Sequence, residues 1–457
     1  MTEFHCEHVL TDTGWARDVT LQCSSDGVIT HIFTDTEAGA NAIRLGTVLP
    51  GMTNLHSHAF QRGMAGLSEQ RGPTQDSFWT WRDLMYRFVG AITPEDMEAI
   101  AALAYCEMLE SGFTRVAEFH YLHHGPNGQA YDDPAEMAGR VCKASQTAGI
   151  AMTLLPVLYR WSGFGRDEPS VGQQRFTNSI DSYETLWSAA MAHTRRLENA
   201  RIGVAPHSLR ATDIEDIQAL TELAGQRPIH IHIAEQTGEV EACMAFHSAR
   251  PVELLLEKAP VDERWCLVHA THMTRAETEA LVRSRAVAGL CPLTEANLGD
   301  GIFPARDFTE AGGTFGIGSD SHIRIDLAEE LRLLEYSQRL SHHQRNVLSE
   351  TGQSTGRFLF SHALHGGGQA SGQDRSGIRI GAAADLVELN INAPALIGRC
   401  EDAVLDTWIF SGDGRLVQSV YVSANQVVSG GQALARADVD ASYRHALQAL
   451  LRRVDRQ

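Results

Sequence analysis

Between residues 49 and 371 the chain alternates short strand-like runs with helical ones, and that alternation restricts the possible folds more than any other feature. The runs RVAEFHY, AMTLLPVLY, RIGVAPHS, PIHIHIAE, CLVHATH, AVAGLCP and TFGIGSD are rich in β-branched and small apolar residues. Between them lie stretches such as PEDMEAIAALAYCEMLESG, which read as helices. A parallel strand reaches its neighbour only through a crossover, so repeated strand–helix units predict an α/β fold, a distorted (β/α)8 barrel of the TIM type. Residues 49–371 are assigned to this barrel.

The two chain ends read differently. FHCEHVL, DVTLQCS and VITHIFT are short strands separated by turn residues, and strand-rich segments return at 378–391 and 416–431. Flanking strands separated by a whole barrel most simply share one small domain, so 1–48 and 372–432 are expected to form a composite β-sandwich. The tail 433–457, with ASYRHALQALLRRVDRQ amphipathic and basic at its end, is expected to be a C-terminal helix.

Composition excludes several classes of function. A net charge of −19 argues against nucleic acid or an anionic membrane as a partner. No apolar run approaches the ~18–20 residues of a membrane span, and the N-terminus lacks the basic and apolar regions of a signal peptide. Eight cysteines show no C-x-x-C pair and no framework spacing, so they read as buried thiols in a reducing compartment, and a cytoplasmic location is expected.

Histidines and carboxylates recur at the ends of the strand-like runs. His56 and His58 follow GTVLPGMTNL, and residues two apart on a strand share a face, so both imidazoles can point at one ion. With 21 histidines in 457 residues, about one His-x-His pair arises by chance. A second pair is indeed present, His230 and His232. Only the residue nearer the C-terminal end of a barrel strand reaches the active mouth, which makes His232 the ligand candidate and His230 a core histidine. Glu235 lies just past that strand, where its ordinary role would be a helix N-terminal charge. His269 closes CLVH, with a core histidine as the alternative. Asp320 ends TFGIGSD, with a turn aspartate as the alternative. Each alternative is common by itself, but their joint order along one barrel points to a metal centre. Three neutral imidazoles and a carboxylate hold one divalent ion and leave room for water, whose pKa a catalytic zinc lowers to about 7. Asp320 can take the proton of that water, and His269 can orient it. Glu235 can pass a proton to a departing nitrogen. Zinc suits these donors best, and iron also accepts them.

The segments LPGMTNLHSHAFQRG (49–63), VAPHSLR (204–210), HIHIAEQTGEV (230–240), LVHATH (267–272), GLCPLTEANLGDG (289–301) and GIGSDSH (316–322), with IGAAADLVELN (380–390), carry a further inference. Over essentially its whole length the chain resembles the amidohydrolase superfamily, on its single-metal deaminase branch. Within that branch it is similar to the deiminases of formimino amino acids. The resemblance implies hydrolysis of N-formimino-L-glutamate to N-formyl-L-glutamate and ammonia in histidine degradation, by hydroxide attack on the formimino carbon. It implies metal binding by His56, His58, His232 and Asp320, catalytic roles for Glu235 and His269 beside Asp320, and a homodimer. It further implies substrate contacts from Gln61, Arg82, Tyr121, His207 and Arg210. Arg82 sits in the aromatic-rich SFWTWRDLMYRF and Arg210 at a strand end, and an arginine fork suits a carboxylate. A pair of them would let an acidic chain hold a small dicarboxylate. The alternatives are a guanine-type deaminase or triazine-type chlorohydrolase, which would want aromatic walls and amide-type contacts, and a non-catalytic scaffold, which would lack ligands.

Overall fold

The computed structural model describes residues 2–69, 71, 78–373 and 375–455, with the side chains at 78–80 outside that description. Ser77 and those side chains, part of the aromatic-rich segment around Arg82, therefore lie outside the described residues, as do residues 456 and 457 of the tail. The chain begins with β1 (Thr2–Thr11), β2 (Gly14–Cys23), β3 (Ile29–Phe33) and β4 (Ile43–Pro50). Then come β5 (Met52–Ser57), β6 (Phe113–His120), β7 (Ala151–Leu158), β8 (Ala200–Ile202) and β9 (Ala205–Pro206). The next four are β10 (Ile229–Ile233), β11 (Trp265–His269), β12 (Val287–Leu290) and β13 (Thr314–Ile317). The last are β14 (Leu386–Leu389), β15 (Val417–Val422), β16 (Asn425–Ser429) and β17 (Gln432–Ala433).

The strands of the two ends form one eight-stranded sheet in the order β17-β16-β15-β14-β4-β1-β2-β3, joined where β14 pairs antiparallel with β4. It has its own core, which includes Phe4, Val19, Leu21, Val48, Leu386 and Tyr421. Of the run 378–391 read as strand, only β14 becomes one. Gly381 at φ +85° turns the preceding segment across the end of β3, where Ile29 donates to the Ala382 carbonyl and accepts from the Gly381 amide. The run GTVLPGMTNL likewise splits at Gly51, where the chain leaves the sheet for the barrel. A Cβ on Gly51 would lie 2.3 Å from Thr114 side-chain atoms, so no larger residue fits this crossing unless Thr114 moves.

The barrel strands run parallel as β5-β6-β7-β8 and β10-β11-β12-β13. RIGVAPHS, read as one strand, is two short pieces, both paired with β7. Counting β8 and β9 as one interrupted stave gives eight staves among the described residues. Parallel bridges at Val204–Ile229, Ser208–His232 and Ser57–Asp320 close the ring. The connecting helices carry their own start signals. Pro94–Ser111 begins with a capping box of Thr93 and Asp96 and ends at Gly112 in the left-handed conformation, from which β6 starts directly. The tail forms the helix Arg436–Val454, which packs on Pro94–Ser111.

One helix seals the base of the barrel. Thr355–Ala370 carries Gly366, Gly367 and Gly368, and its backbone lies directly on β13: a Cβ on Gly366 would sit 1.9 Å from the Phe315 carbonyl oxygen. His230 contacts the Ala370 carbonyl at 2.7 Å, and Thr153 donates to the Ser371 carbonyl at 2.9 Å. Above this floor Leu55, Cys266, Val268, Val287 and Cys291 fill the interior. Because the contact at Gly366 is with backbone, it cannot relax by rotating a side chain. Gly366→Ala should therefore cost at least the ~1–3 kcal/mol of an overpacked core, read as a lower midpoint of thermal or denaturant unfolding. An unchanged midpoint would show that the helix can slide off the strand.

Candidate active site

The C-terminal ends of the strands gather the predicted ligands into one cluster. His56 lies in β5, while His58 falls one residue beyond it, at the start of the 3-10 turn Ala59–Met64. His232 lies in β10, and Asp320 follows β13 by three residues. The Nε2 atoms of the three imidazoles stand 3.1 Å (His56–His58), 3.3 Å (His58–His232) and 3.0 Å (His232–His56) apart. Asp320 Oδ1 lies 3.4 Å from His56 Nε2 and 3.3 Å from His58 Nε2. All four side chains are buried. His230, the other member of its pair, points away to the barrel floor.

This donor set fits a divalent cation. His58 Nδ1 faces the Phe119 carbonyl at 2.9 Å and His232 Nδ1 the His207 carbonyl at 3.0 Å. A carbonyl only accepts, so both rings carry their proton on Nδ1, and two bare Nε2 lone pairs face one another. That arrangement is repulsive unless a cation lies between them. Metal–nitrogen bonds of about 2.0–2.1 Å at angles between square and tetrahedral place nitrogens about 2.8–3.4 Å apart, the range seen here. Burial holds all three imidazoles below their ordinary pKa, and therefore neutral, as ligands must be.

Around the cluster stand the groups that could move protons. Burial pushes the Glu235 carboxyl up to about 7, with His269 and Arg210 opposing the rise and Asp320 and Glu239 adding to it. His269 Nε2 lies 3.8 Å from both Glu235 Oε1 and Asp320 Oδ2. Its Nδ1 is 3.3 Å from Glu295 Oε1, which also accepts from the Cys291 amide at 3.2 Å. Burial works against a charged His269, but Glu235, Glu295 and Asp320 together push it up to about 10. Ala234, His269, Ala270, Asp320 and His322 all have φ between +45° and +68°. Such non-glycine conformations cost of order 1–3 kcal/mol each and cluster where a fold must aim side chains.

Sequence reasoning missed the supports beneath the ligands. Ser57, between the two histidines, donates to Glu118 Oε2 at 2.5 Å, and the Ala59 amide donates to Glu118 Oε1 at 2.8 Å. The chain continues from Ser57 to His322 Nε2 and from His322 Nδ1 to Ser319 Oγ, both at 2.9 Å. Glu118 was visible as a single acid inside the apolar run RVAEFHY. Glu295, in PLTEANL, looks like any acid on a helix and gave no signal.

All five residues with implied substrate roles line one cavity with His58, His232, Glu235, His269 and Asp320. Gln61 donates to the Tyr121 hydroxyl at 3.0 Å, and the Tyr121 ring meets His58 edge-on at 5.0 Å. The Arg82 guanidinium lies 5.5 Å from the centre of the Tyr86 ring. Arg210 keeps its charge despite burial because the carboxylates of Glu239 and Glu235 oppose the desolvation. The cavity thus carries two guanidinium groups inside a chain of net charge −19.

A parallel barrel with imidazoles and a carboxylate converging at its C-terminal mouth defines a metal-dependent hydrolase. Residues 47–427 match the amidohydrolase family, and the chain belongs to it. Residues 1–44 match the N-terminal domain of formimidoylglutamate deiminase. The formimidoylglutamate deiminase of Pseudomonas aeruginosa is 49% identical over 94% of this chain and 96% of its own. A crystal structure of an amidohydrolase from Brucella melitensis has a TM-score of 0.96 at 47% identity, covering 99% of this chain and 100% of the other. A zinc-bound adenosine deaminase of Xanthomonas campestris shares the fold at a TM-score of 0.81 and 20% identity, over 98% of both chains.

Elemental analysis should find one divalent ion per wild-type chain. It should find far less in His232→Ala, whereas His230→Ala should retain the ion. Equal metal in both variants would remove His232 from the ligand set.

Proposed function

We propose that this protein is a formimidoylglutamate deiminase, hydrolysing N-formimino-L-glutamate to N-formyl-L-glutamate and ammonia. The observation that carries the reading is the placement of Arg82 and Arg210 in the same cavity as the imidazole–carboxylate cluster. Charge-assisted arginine–carboxylate bonds are well suited to a dicarboxylate, and the formimino group is then the part left to face the cluster. A guanine-type or triazine-type substrate has no carboxylate for either arginine. The Pseudomonas relative, similar along nearly the whole chain, supports the same substrate.

A divalent ion held by His56, His58, His232 and Asp320 supplies Lewis acidity and lowers the pKa of a water. The donor set favours zinc, with iron as the alternative. Arg82 and Arg210 hold the carboxylates and so fix the formimino carbon against the cluster. Water oxygen bonds to that carbon, and Asp320 accepts the proton released. Glu235, with its carboxyl near neutrality, carries a proton to the terminal nitrogen. The C–N bond then breaks as the C=O bond of the formyl group forms, the remaining hydroxyl proton returns to Glu235, and ammonia leaves. His269, held by Glu295 on one nitrogen, stabilises the charge that develops between Glu235 and Asp320. The reaction belongs to histidine degradation, and eight free thiols suit the reducing cytoplasm.

Ammonia release from N-formimino-L-glutamate, assayed beside guanine and cytosine, tests the reading directly. Turnover of guanine but not of the formimino compound would overturn it. Glu235→Gln should keep its metal and most of its substrate affinity while losing roughly 10²-fold or more in kcat; near-full activity would leave Glu235 as a helix-end charge. Arg82→Met and Arg210→Met should each lower kcat/KM by roughly tenfold to a hundredfold with metal content intact, the effect of losing a charged hydrogen-bond partner. Formiminoglycine, which lacks the side-chain carboxylate, should be least sensitive in the variant whose arginine binds that carboxylate. If neither arginine matters, the substrate assignment fails while the metal site stands.

A further inference from the structure

Tyr159 stands immediately after β7, at the same mouth of the barrel, and its hydroxyl oxygen accepts from Gln173 Nε2 at 2.6 Å. The direction of that bond follows from the other end of the amide. Gln173 Oε1 accepts the Ser170 backbone N–H at 2.8 Å, and a backbone amide can only donate, so Nε2 must face the tyrosine. Both side chains are buried, at 4% and 3% exposure, and the tyrosine ring is packed against His207 at 4.6 Å and Phe176 at 5.9 Å. A phenol oxygen that already accepts keeps its own proton for another acceptor. Among the described residues Gln173 is the hydroxyl's one hydrogen-bond partner. Tyr159 and Arg210 line the same cavity, with Tyr159 among the groups that neighbour the guanidinium. Tyr121 repeats the pattern after β6, with Gln61 donating to its oxygen at 3.0 Å.

We infer that Tyr159, aimed by Gln173, donates its hydroxyl proton to the substrate carboxylate held by Arg210. This rests on the dicarboxylate reading of the cavity. Tyr159 is then a specificity residue that touches substrate, and Gln173 is a positioning residue that acts through it. The bond is made to a group remote from the reacting carbon and unchanged by reaction, so its loss weakens binding without slowing chemistry.

The test measures binding of N-formyl-L-glutamate by titration calorimetry on the metal-loaded protein, alongside turnover of N-formimino-L-glutamate. Tyr159→Phe keeps the ring and its packing. It should weaken product binding and raise KM by about tenfold or more, as a lost bond to a charged acceptor does, with kcat within about threefold of wild type. Gln173→Leu should have a smaller effect in the same direction and no further effect in Tyr159→Phe, because it acts only through the hydroxyl. Equal binding by wild type and Tyr159→Phe overturns the inference, since the proton is then spent inside the protein, for example on Tyr86, which also borders Gln173. Additive effects of the two substitutions overturn the role of Gln173. Wild type that binds N-formyl-L-glutamate but does not turn over the formimino compound sinks the proposed reaction and leaves Tyr159 to be judged by binding. Wild type that neither binds it nor turns over the formimino compound sinks both.

Discussion

Asp320 donates its backbone N–H to the His56 carbonyl at 3.0 Å and accepts from the His58 amide at 3.2 Å. On the other seam, His232 donates its amide to the His207 carbonyl at 3.1 Å. With the Val204–Ile229 bridge these bonds close the barrel, and four of the residues that make them, His56, His58, His232 and Asp320, have side chains that converge on the cation site. Closure and ligation are therefore one constraint. A slip at either seam would carry a ligand out of the cluster, and an ion bound only by the folded chain would in turn hold the seams shut. The left-handed conformations of Ala234, His269, Asp320 and His322 lie at these strand ends, where the backbone must leave the sheet and aim a side chain inward.

The electrostatics follow from the same enclosure. Burial removes charge from the three imidazoles, which suits them to ligation, and raises Glu235 toward neutrality, which suits it to carry a proton. His269 is the exception. It is as buried as its neighbours, but Glu235, Glu295 and Asp320 outweigh desolvation and favour its charged form. Arg210 keeps its charge in the same way, against Glu239. One depth of burial thus produces opposite protonation states, decided by which carboxylates stand within a few ångströms.

Much of this was legible in the chain itself. The alternation of runs pointed to the barrel, and the order of His56, His58, His232 and Asp320 at strand ends is the order that the structure draws together. His230 and His232 were separable by position alone. Other features needed the third dimension. GTVLPGMTNL reads as one strand because both halves are apolar, and only the approach of Thr114 to Gly51 shows why the chain must break there. Asp320 reads as the end of its strand, yet β13 stops at Ile317 and the seam bridge to Ser57 places the carboxylate. Glu295 and Gln173 have no signal of their own, since each matters through a partner distant in the chain or hidden in a loop. Gly366 looks like a poor helix residue until the Phe315 carbonyl appears beneath it.

The sealed floor has a consequence for traffic. Thr355–Ala370 lies against the strands backbone to backbone, and the interior above it is filled by Leu55, Cys266, Val268, Val287 and Cys291. The floor is thus closed by this helix, and the cavity lies at the opposite mouth of the barrel, its doorway. For the deimination proposed here, substrate and products share that doorway, which Arg82 and Arg210 line. Ammonia, small and carrying no carboxylate, can slip out around a molecule still anchored there. The formyl product keeps both carboxylates of its parent and occupies the parent's berth, so each turnover must empty the doorway before the next can begin.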